Sequence, residues 1–169
     1  VRIITSCRTS EKNAFMKIER NYQIHTYEIS ELTRAEQLAI ANKYSIIKKM
    51  LGFNSYSELL KSPFYVNLIV TKVSNIDDIS DENELREYIW QHVICLNDNE
   101  IMKVVESIVF TRARDFSLGV NCREYDTKII EELISEDILV RNGATVRLKY
   151  DIFEDICFEQ YLDTEFSKC

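Results

Sequence analysis

The sequence predicts a mostly α-helical globular protein. Of its 169 residues, 46% are hydrophobic and 29% are charged, which is enough apolar material to bury a core. Three glycines and one proline are too few for the many tight turns of a β-sandwich or for flexible linkers. Apolar residues recur at helical spacing through most of the chain, so we expect long helices with short connections.

Charge and cysteine content limit the classes of protein that are possible. A net charge of -7 and a pI near 5.0 disfavour general binding to the phosphates of nucleic acids. The cysteines are odd in number and scattered, with no metal-binding spacing, which indicates reduced thiols in a cytoplasmic protein. They are Cys7, Cys95, Cys122, Cys157 and Cys169. No apolar run approaches the ~20 residues that span a bilayer, and we expect no membrane segment.

The first 30 residues have the pattern of a fragment of an α/β domain. Val1–Ser6 reads as a strand, Ser10–Arg20 as a short helix and Tyr22–Ile29 as a second strand. A lone strand is not stable. Either its partners lie later in this chain, or the chain is part of a larger protein that holds the rest of the sheet. We favour the second interpretation and assign 1–30 to the tail of an α/β core.

Residues 31–75 predict a helical domain. Thr33 and Glu36 form a capping box ahead of a helix from about Arg34 to Met50, which Gly52 ends. Ser55 is expected to cap a short helix over Tyr56–Lys61. Pro63 stands at the first turn of the next helix, where its missing N–H is harmless. The apolar face of that helix consists of Phe64, Leu68, Ile69 and Val73.

An acidic stretch over 74–83 is the best candidate for a linker. A helix over Glu84–Cys95 follows, and its spacing buries Trp90 with Ile89 and Val93. Asn97 or Asp98 then caps a longer helix that runs to about Arg114. The inner face of this longer helix carries Ile101, Val104, Val105, Ile108 and Val109.

The order of the last elements predicts a winged helix-turn-helix over 84–169. A helix over Asp126–Ser135 precedes two strands, 138–141 and 145–149, which are joined across the tight-turn dipeptide Asn142-Gly143. Helices followed by a two-stranded wing are typical of this fold. A last helix runs from Asp151 to about Phe166. Its predicted apolar side consists of Ile152, Phe153, Ile156, Cys157, Tyr161 and Leu162.

Motifs for independent catalysis are missing from the sequence. It contains no G-x-x-x-x-G-K-[ST] loop, no G-x-G-x-x-G, no G-x-S-x-G and no H-E-x-x-H. His25 and His92 are far apart, and each favours a structural role. Adjacent carboxylates such as Glu131 and Glu132 point about 100° apart on a helix and do not face one site. We expect no catalysis and no metal site from this fragment alone.

DNA binding is an alternative that the charges disfavour. Arg141, Arg147 and Lys149 on the wing could contact phosphates, as winged helices often do. The presumed recognition helix, however, carries acidic side chains, and Lys128 is its only basic residue. These acidic residues are Asp126, Glu131, Glu132 and Glu136. Such a face would repel a duplex.

The order of parts resembles the STAND signal-transduction ATPases, which include the NACHT and NB-ARC types. In that family the nucleotide-binding core ends in a strand reading roughly T-x-R, and its arginine, sensor 1, faces the nucleotide phosphates. Residues 3–8 read Ile-Ile-Thr-Ser-Cys-Arg and are similar to that strand. The resemblance implies that Arg8 contacts nucleotide. A guanidinium suits this role because it stays cationic and can bind a phosphate with two hydrogen bonds.

Two further segments carry the resemblance. Residues 59–68 resemble the family's helix-start motif, whose proline packs near the adenine and ribose, which implies this role for Pro63. Ser62 stands where the family often has Gly or Asn. Residues 148–155 resemble the end of the family's winged helix, where a histidine reaches the β-phosphate of ADP. In this chain Tyr150 occupies the histidine position.

The resemblance implies a regulatory fragment of an ATP-dependent signalling switch. Its cofactor would be ATP or ADP, with Mg²⁺ in the intact parent, and the fragment alone would not retain it. Its partners would be the upstream P-loop core of the same protein and, on activation, further copies of the parent. A winged-helix DNA-binding regulator and a purely helical adaptor are the alternatives.

Overall fold

Helices dominate the described chain, and one small antiparallel sheet completes it, which confirms the predicted mostly α class. The computed structural model describes residues 30–74 and 79–166. The chain divides into two units, 1–31 and 32–169, and every element below belongs to the second. The strands and helix predicted for 1–29, together with Arg8 and His25, lie outside the described residues.

The helices and strands are numbered in chain order. They are α1 (Arg34–Ala41), α2 (Ser45–Met50), α3 (Pro63–Lys72), α4 (Glu82–Tyr88), α5 (Asn99–Asp115), β1 (Val120–Asn121), α6 (Thr127–Ser135), β2 (Leu139–Asn142), β3 (Thr145–Leu148) and α7 (Asp151–Phe166). A π-helical segment, Ile89–Ile94, continues α4. Short 3-10 turns lie at Asn54–Tyr56, Leu59–Lys61 and Cys122–Glu124.

Side-chain caps fix the starts of three helices where the sequence predicts them. The capping box of Thr33 and Glu36 is present at α1. Asp98 accepts hydrogen bonds from the first backbone amides of α5, and Asp126 does the same for α6. These contacts satisfy backbone donors that have no partner inside the helix.

The single helix predicted over 34–50 is wrong, because the chain breaks between α1 and α2. The N–H groups of Lys43 and Tyr44 both donate to the carbonyl of Ile40, and Tyr44 then takes an extended conformation. In one straight helix Ala41 and Ile47 would point about 120° apart. The break allows both side chains to be buried in the same core.

The short helix predicted over Tyr56–Lys61 is also wrong. Two 3-10 turns replace it, and the Ser55 hydroxyl donates to the carbonyl of Ser80 at 3.4 Å rather than capping a helix. The Tyr56 hydroxyl donates to the carbonyl of Ile79 at 2.7 Å. These two contacts attach the turns to the chain just before α4 and hold the last part of the predicted linker.

The helix predicted over Glu84–Cys95 begins earlier and changes character. Asp81 caps α4 by accepting a hydrogen bond from the Glu84 amide, so Glu82 already belongs to the helix. From Ile89 the helix widens to π geometry, in which Ile89, Trp90 and Val93 are buried as predicted. Residues 75–78, the centre of the predicted linker, lie outside the described residues.

The sheet has the strand order β1-β3-β2, and both pairings are antiparallel. Strand β1 is only two residues long and was not predicted from the sequence. The hairpin turn also differs by one residue from the prediction. Asn142 pairs with Thr145, so the central turn residues are Gly143 and Ala144. Gly143 has φ 61°, which suits a glycine at the first central position of a two-residue hairpin turn.

One hydrophobic core runs through the described chain from Ala41 to Cys157. Both the predicted helical segment, 31–75, and the predicted winged-helix segment, 84–169, contribute to it. On α7, Phe153, Ile156 and Cys157 are buried as expected. Tyr161 and Leu162 were predicted to be inward and are instead largely exposed, because the second half of α7 passes the edge of the core.

Candidate functional site

Two of the three predicted site residues, Pro63 and Tyr150, are connected through the ring of Phe64. Pro63 is the first residue of α3, and the next residue, Phe64, packs its ring edge-on against Tyr150 with the ring centroids 5.0 Å apart. Phe153, one turn further along α7, contacts both rings at 5.9 and 5.4 Å. We call Pro63, Phe64, Tyr150 and Phe153 the aromatic junction. Arg8 lies outside the described residues.

Local chain geometry explains how the junction forms. Ser62 is extended, and Pro63 takes the first helical position, where its fixed φ suits a helix start. This places Phe64 in the first turn of α3, half-buried. On the other side, Lys149 N–H donates to the carbonyl of Ile138, and Phe153 N–H donates to that of Tyr150. Tyr150 therefore stands at the point where the hairpin turns into α7.

The surface of the junction combines apolar rings with hydrogen-bond donors. Tyr150 is 37% exposed and Pro63 is exposed. The Lys149 ammonium lies 5.4 Å from the centre of the Tyr150 ring. A planar ring can stack on such a surface, and the Tyr150 hydroxyl can donate to an anion. Phe64 was predicted only as a core residue, and its contact with Tyr150 has no signal in the sequence.

Two ion pairs involve the turn between α6 and β2. Lys149 pairs with Asp137 at 2.7 Å, and Lys72, the last residue of α3, pairs with Glu136 at 2.9 Å. The hydrogen bond from Lys149 lowers the pKa of Asp137, with a smaller contribution from the charge of Lys72, and raises the pKa of Lys149. These pairs connect α3 to the turn between α6 and β2 and to the end of β3.

Arg86 forms a second connection, which the sequence analysis missed. Its guanidinium lies 5.5 Å from the centre of the Tyr65 ring and pairs with Glu82 of its own helix and with Glu159 of α7. Arg86 thus links α3, α4 and α7. The Tyr65 hydroxyl is buried, and it has no hydrogen-bond partner among the described residues. Burial raises the pKa of Tyr65 to about 12.

The cations of the predicted wing are mostly engaged within the chain. Arg141 pairs with Glu131 of α6 at 2.7 Å, and Lys149 pairs with Asp137. Arg147 donates to the carbonyl of Leu148 at 3.1 Å. One of the four carboxylates that disfavour DNA, Glu131, is therefore a direct partner of a basic side chain of the wing.

The other candidate side chains show no further site. His92 is exposed, and its ring lies 4.3 Å from that of Tyr88. Cys95 and Cys157 are buried free thiols, and Cys122 is a half-buried one. Within residues 30–74 and 79–166, no group of three His, Cys, Asp or Glu side chains is placed to hold a metal ion. None of the helices in these ranges is long and apolar enough to cross a membrane.

Comparison with protein-family models, with curated protein sequences and with solved structures finds no match for this chain. The aromatic junction and its ion pairs are thus the observations on which a function can be argued.

Proposed function

We propose that this chain is the regulatory arm of a STAND-type ATP-dependent signalling switch. In this proposal residues 1–30 end the nucleotide-binding core, 31–75 form the helical domain and 84–169 form the winged-helix domain. Arg8, Pro63 and Tyr150 contact ATP or ADP in the intact parent, where an upstream P-loop core supplies the phosphate and Mg²⁺ site. The parent is an ATPase in this proposal, and no catalysis is expected from the fragment alone.

The observation that carries the proposal is the aromatic junction. Pro63 and Tyr150 were selected from separate motifs, far apart in the sequence, and Phe64 joins them at one partly exposed surface. A residue that contacts the base and one that contacts a phosphate of the same nucleotide must lie close together. The contact of Phe64, the neighbour of Pro63, with Tyr150 supports this part of the proposal.

The order of the elements supports the winged-helix part of the proposal. Helix α5 precedes β1, helix α6 precedes the hairpin of β2 and β3, and β3 lies between the other two strands. Helix α7 follows the hairpin directly, with Tyr150 at the connection. A wing placed there can move Tyr150 towards or away from α3 as a unit.

In this mechanism ADP makes contacts in the closed state that it does not make in the open state. If ADP touches Pro63 on one side and Tyr150 on the other, it stabilises the state in which the aromatic junction is closed. A signal that separates the two surfaces exposes Phe64 and Phe153 and removes the Tyr150 contact. The equilibrium between the closed and open states then shifts towards the open state, by the free energy that ADP contributed to the closed state only.

The first test is the reading frame that encodes the parent protein. We expect a G-x-x-x-x-G-K-[ST] motif within about 200 residues before Val1, the length of one domain. A parent without such a motif would overturn the proposal.

The second test is the affinity of the intact parent for ADP. Tyr150→Phe keeps the ring packing and deletes the hydroxyl, so it should weaken ADP binding about 5- to 150-fold, equivalent to ~1 to 3 kcal/mol, and leave the melting temperature unchanged. Tyr150→Ala should lower both the affinity for ADP and the melting temperature. Calorimetry and thermal unfolding measure the two effects.

Tyr44→Phe is the matched control for this test, because Tyr44 is similarly exposed, at 44%, in the turn between α1 and α2. This substitution should change neither the affinity for ADP nor the melting temperature. Unchanged ADP affinity in Tyr150→Phe would restrict Tyr150 to packing and remove the observation that carries the proposal.

A further inference from the structure

The region around α2 is basic, although the chain as a whole has a net charge of -7. Residues 37–57 contain three lysines, Lys43, Lys48 and Lys49, and no aspartate or glutamate. All three lysines are exposed. At physiological salt, charges more than about 8 Å apart are largely screened from each other. An anion at these lysines therefore interacts mainly with a local positive charge.

Two of these lysines carry a charge that is not neutralised by a neighbour. Among the residues that the structure describes, no carboxylate pairs with Lys43 or Lys48. The hairpin differs in this respect, because Arg141 pairs with Glu131. A polyanion can thus contact Lys43 and Lys48 without first breaking an ion pair.

Backbone hydrogen bonds place the two lysines next to one aromatic residue. The N–H groups of Lys43 and Tyr44 both donate to the carbonyl of Ile40, which forms the turn after α1. The Lys48 N–H then donates to the carbonyl of Tyr44. Tyr44 therefore directly follows one lysine and lies one helical turn before the other.

Two exposed aromatic rings accompany the lysines. Tyr44 is 44% exposed, and within the described part of the chain no ring or cation lies against its ring. Phe53, which follows the end of α2, is 60% exposed. Its ring meets that of Tyr56 edge-on, with the centroids 6.2 Å apart. Exposed rings beside unpaired cations are typical of surfaces on which unpaired bases stack while lysines contact phosphates.

We propose that this surface binds single-stranded RNA or DNA. The α1–α2 surface, as we call it, consists of Lys43, Tyr44, Lys48 and Phe53. Bases stack on the two rings, and phosphates lie next to the two lysines. The surface is small, so the binding is weak. The inference does not involve the aromatic junction and does not require the function proposed above.

A lipid surface is a poorer partner for the same side chains. A helix that lies on a bilayer turns an apolar face outwards. Helix α2 is six residues long, and its apolar side chains Ile47 and Met50 are buried in the core. It therefore has no apolar face left for lipid, whereas the two exposed rings suit planar bases.

Fluorescence anisotropy of a labelled oligouridylate of about 10 nucleotides, titrated with the 169-residue chain to ~1 mM, tests the proposal. We expect saturable binding at ~0.05 M salt. If two lysines each neutralise a phosphate, the affinity should fall about sevenfold between 0.05 and 0.2 M salt. No binding at ~0.05 M salt would overturn the proposal.

Three competitors define the class of partner. A duplex of the same length stacks its bases on each other, so it should bind roughly 5- to 150-fold more weakly than the single strand. Polyglutamate of the same charge tests for binding of any polyanion, and phosphatidylserine vesicles test for binding of lipid. Competition by any of the three as strong as that by the unlabelled single strand would contradict the proposal.

Lysine variants locate the charge that binds the strand. Lys43→Gln with Lys48→Gln should weaken binding and remove most of its salt dependence. Lys103→Gln with Lys128→Gln is the matched control, because both of these lysines are exposed and lie on α5 and α6. The control should bind as the unmodified chain does. Equal effects of the two double variants would rule out the α1–α2 surface as the binding site.

Aromatic variants test the stacking. Tyr44→Leu with Phe53→Leu keeps apolar side chains but removes both rings, and should weaken binding at least fivefold. Tyr161→Leu is the control, because Tyr161 is 43% exposed on α7. Circular dichroism should show intact folding, since both substituted residues are exposed. Unchanged affinity in the folded double variant would contradict stacking and with it the proposal.

Discussion

Tyr65 and Tyr56 are two buried tyrosines with opposite hydrogen-bonding states. Tyr56 is almost fully buried and donates its hydroxyl to the Ile79 carbonyl. The Tyr65 hydroxyl has no partner among the described residues, although Arg86 lies over its ring. A buried hydroxyl without a partner costs about 1 to 3 kcal/mol, because it has lost its hydrogen bonds to water.

Tyr65→Phe should therefore raise the free energy of unfolding by about 1 kcal/mol, since the ring and its contact with Arg86 remain. Tyr56→Phe is the matched control and should lower it by a similar amount, because the Ile79 carbonyl loses its donor. Urea unfolding of both variants measures the difference. A loss of stability in Tyr65→Phe would reveal a water-mediated hydrogen bond at this hydroxyl.

At the scale of elements, the charges on α6 and the hairpin disfavour DNA binding. Glu131 neutralises Arg141 across the groove between α6 and β2, and Asp137 neutralises Lys149 at the end of β3. A duplex would have to break these pairs before Arg141 or Lys149 could contact a phosphate.

We therefore expect no gel shift of random duplex DNA by the chain at micromolar concentration and ~0.15 M salt. Glu131→Gln with Asp137→Asn frees both cations and should increase any residual, salt-sensitive binding. A shift by the unmodified chain that is abolished by Arg141→Ala with Arg147→Ala would instead favour the DNA-binding regulator.

Some of the helices and strands could be predicted from the sequence, and others could not. The bounds of helices α5, α6 and α7 and of the two hairpin strands were predicted to within about two residues, because apolar periods and turn signals are local properties. The break between α1 and α2 and the π-helical segment were missed, since each depends on which side chains reach a core made by distant residues. Pro63 and Tyr150 were chosen as site residues from the sequence, but the contact through Phe64 is tertiary and has no local pattern.

At the scale of the whole molecule, buried ionisable groups couple stability to pH. Burial raises the pKa of Cys157 from its usual 9.0 to about 12 and that of Tyr65 from 10.0 to about 12, and it also raises that of Cys95. In the folded state these groups stay neutral at a pH where the unfolded chain already ionises. Their contribution to stability is complete below about pH 9 and is lost as the pH rises towards 12.

The free energy of unfolding should consequently fall as the pH rises from 9 to 10.5 under reducing conditions, as measured by urea unfolding. Cys157→Ala should give a lower starting stability and a shallower decline, because one of the buried thiols is gone. Cys122→Ala is the control for removal of a thiol. An equal slope in Cys157→Ala and in the unmodified chain would contradict this account.

Helix α7 covers part of the core, and it is translated after α3, one of the helices that it covers. Phe64 leaves the ribosome well before Tyr150 and Phe153, the side chains that cover it. At about 5 to 20 residues per second, translation leaves α3 uncovered for several seconds. The apolar face of α3 thus depends on α7, which is made later. A nascent chain that pauses before Asp151 presents an incomplete apolar surface to chaperones.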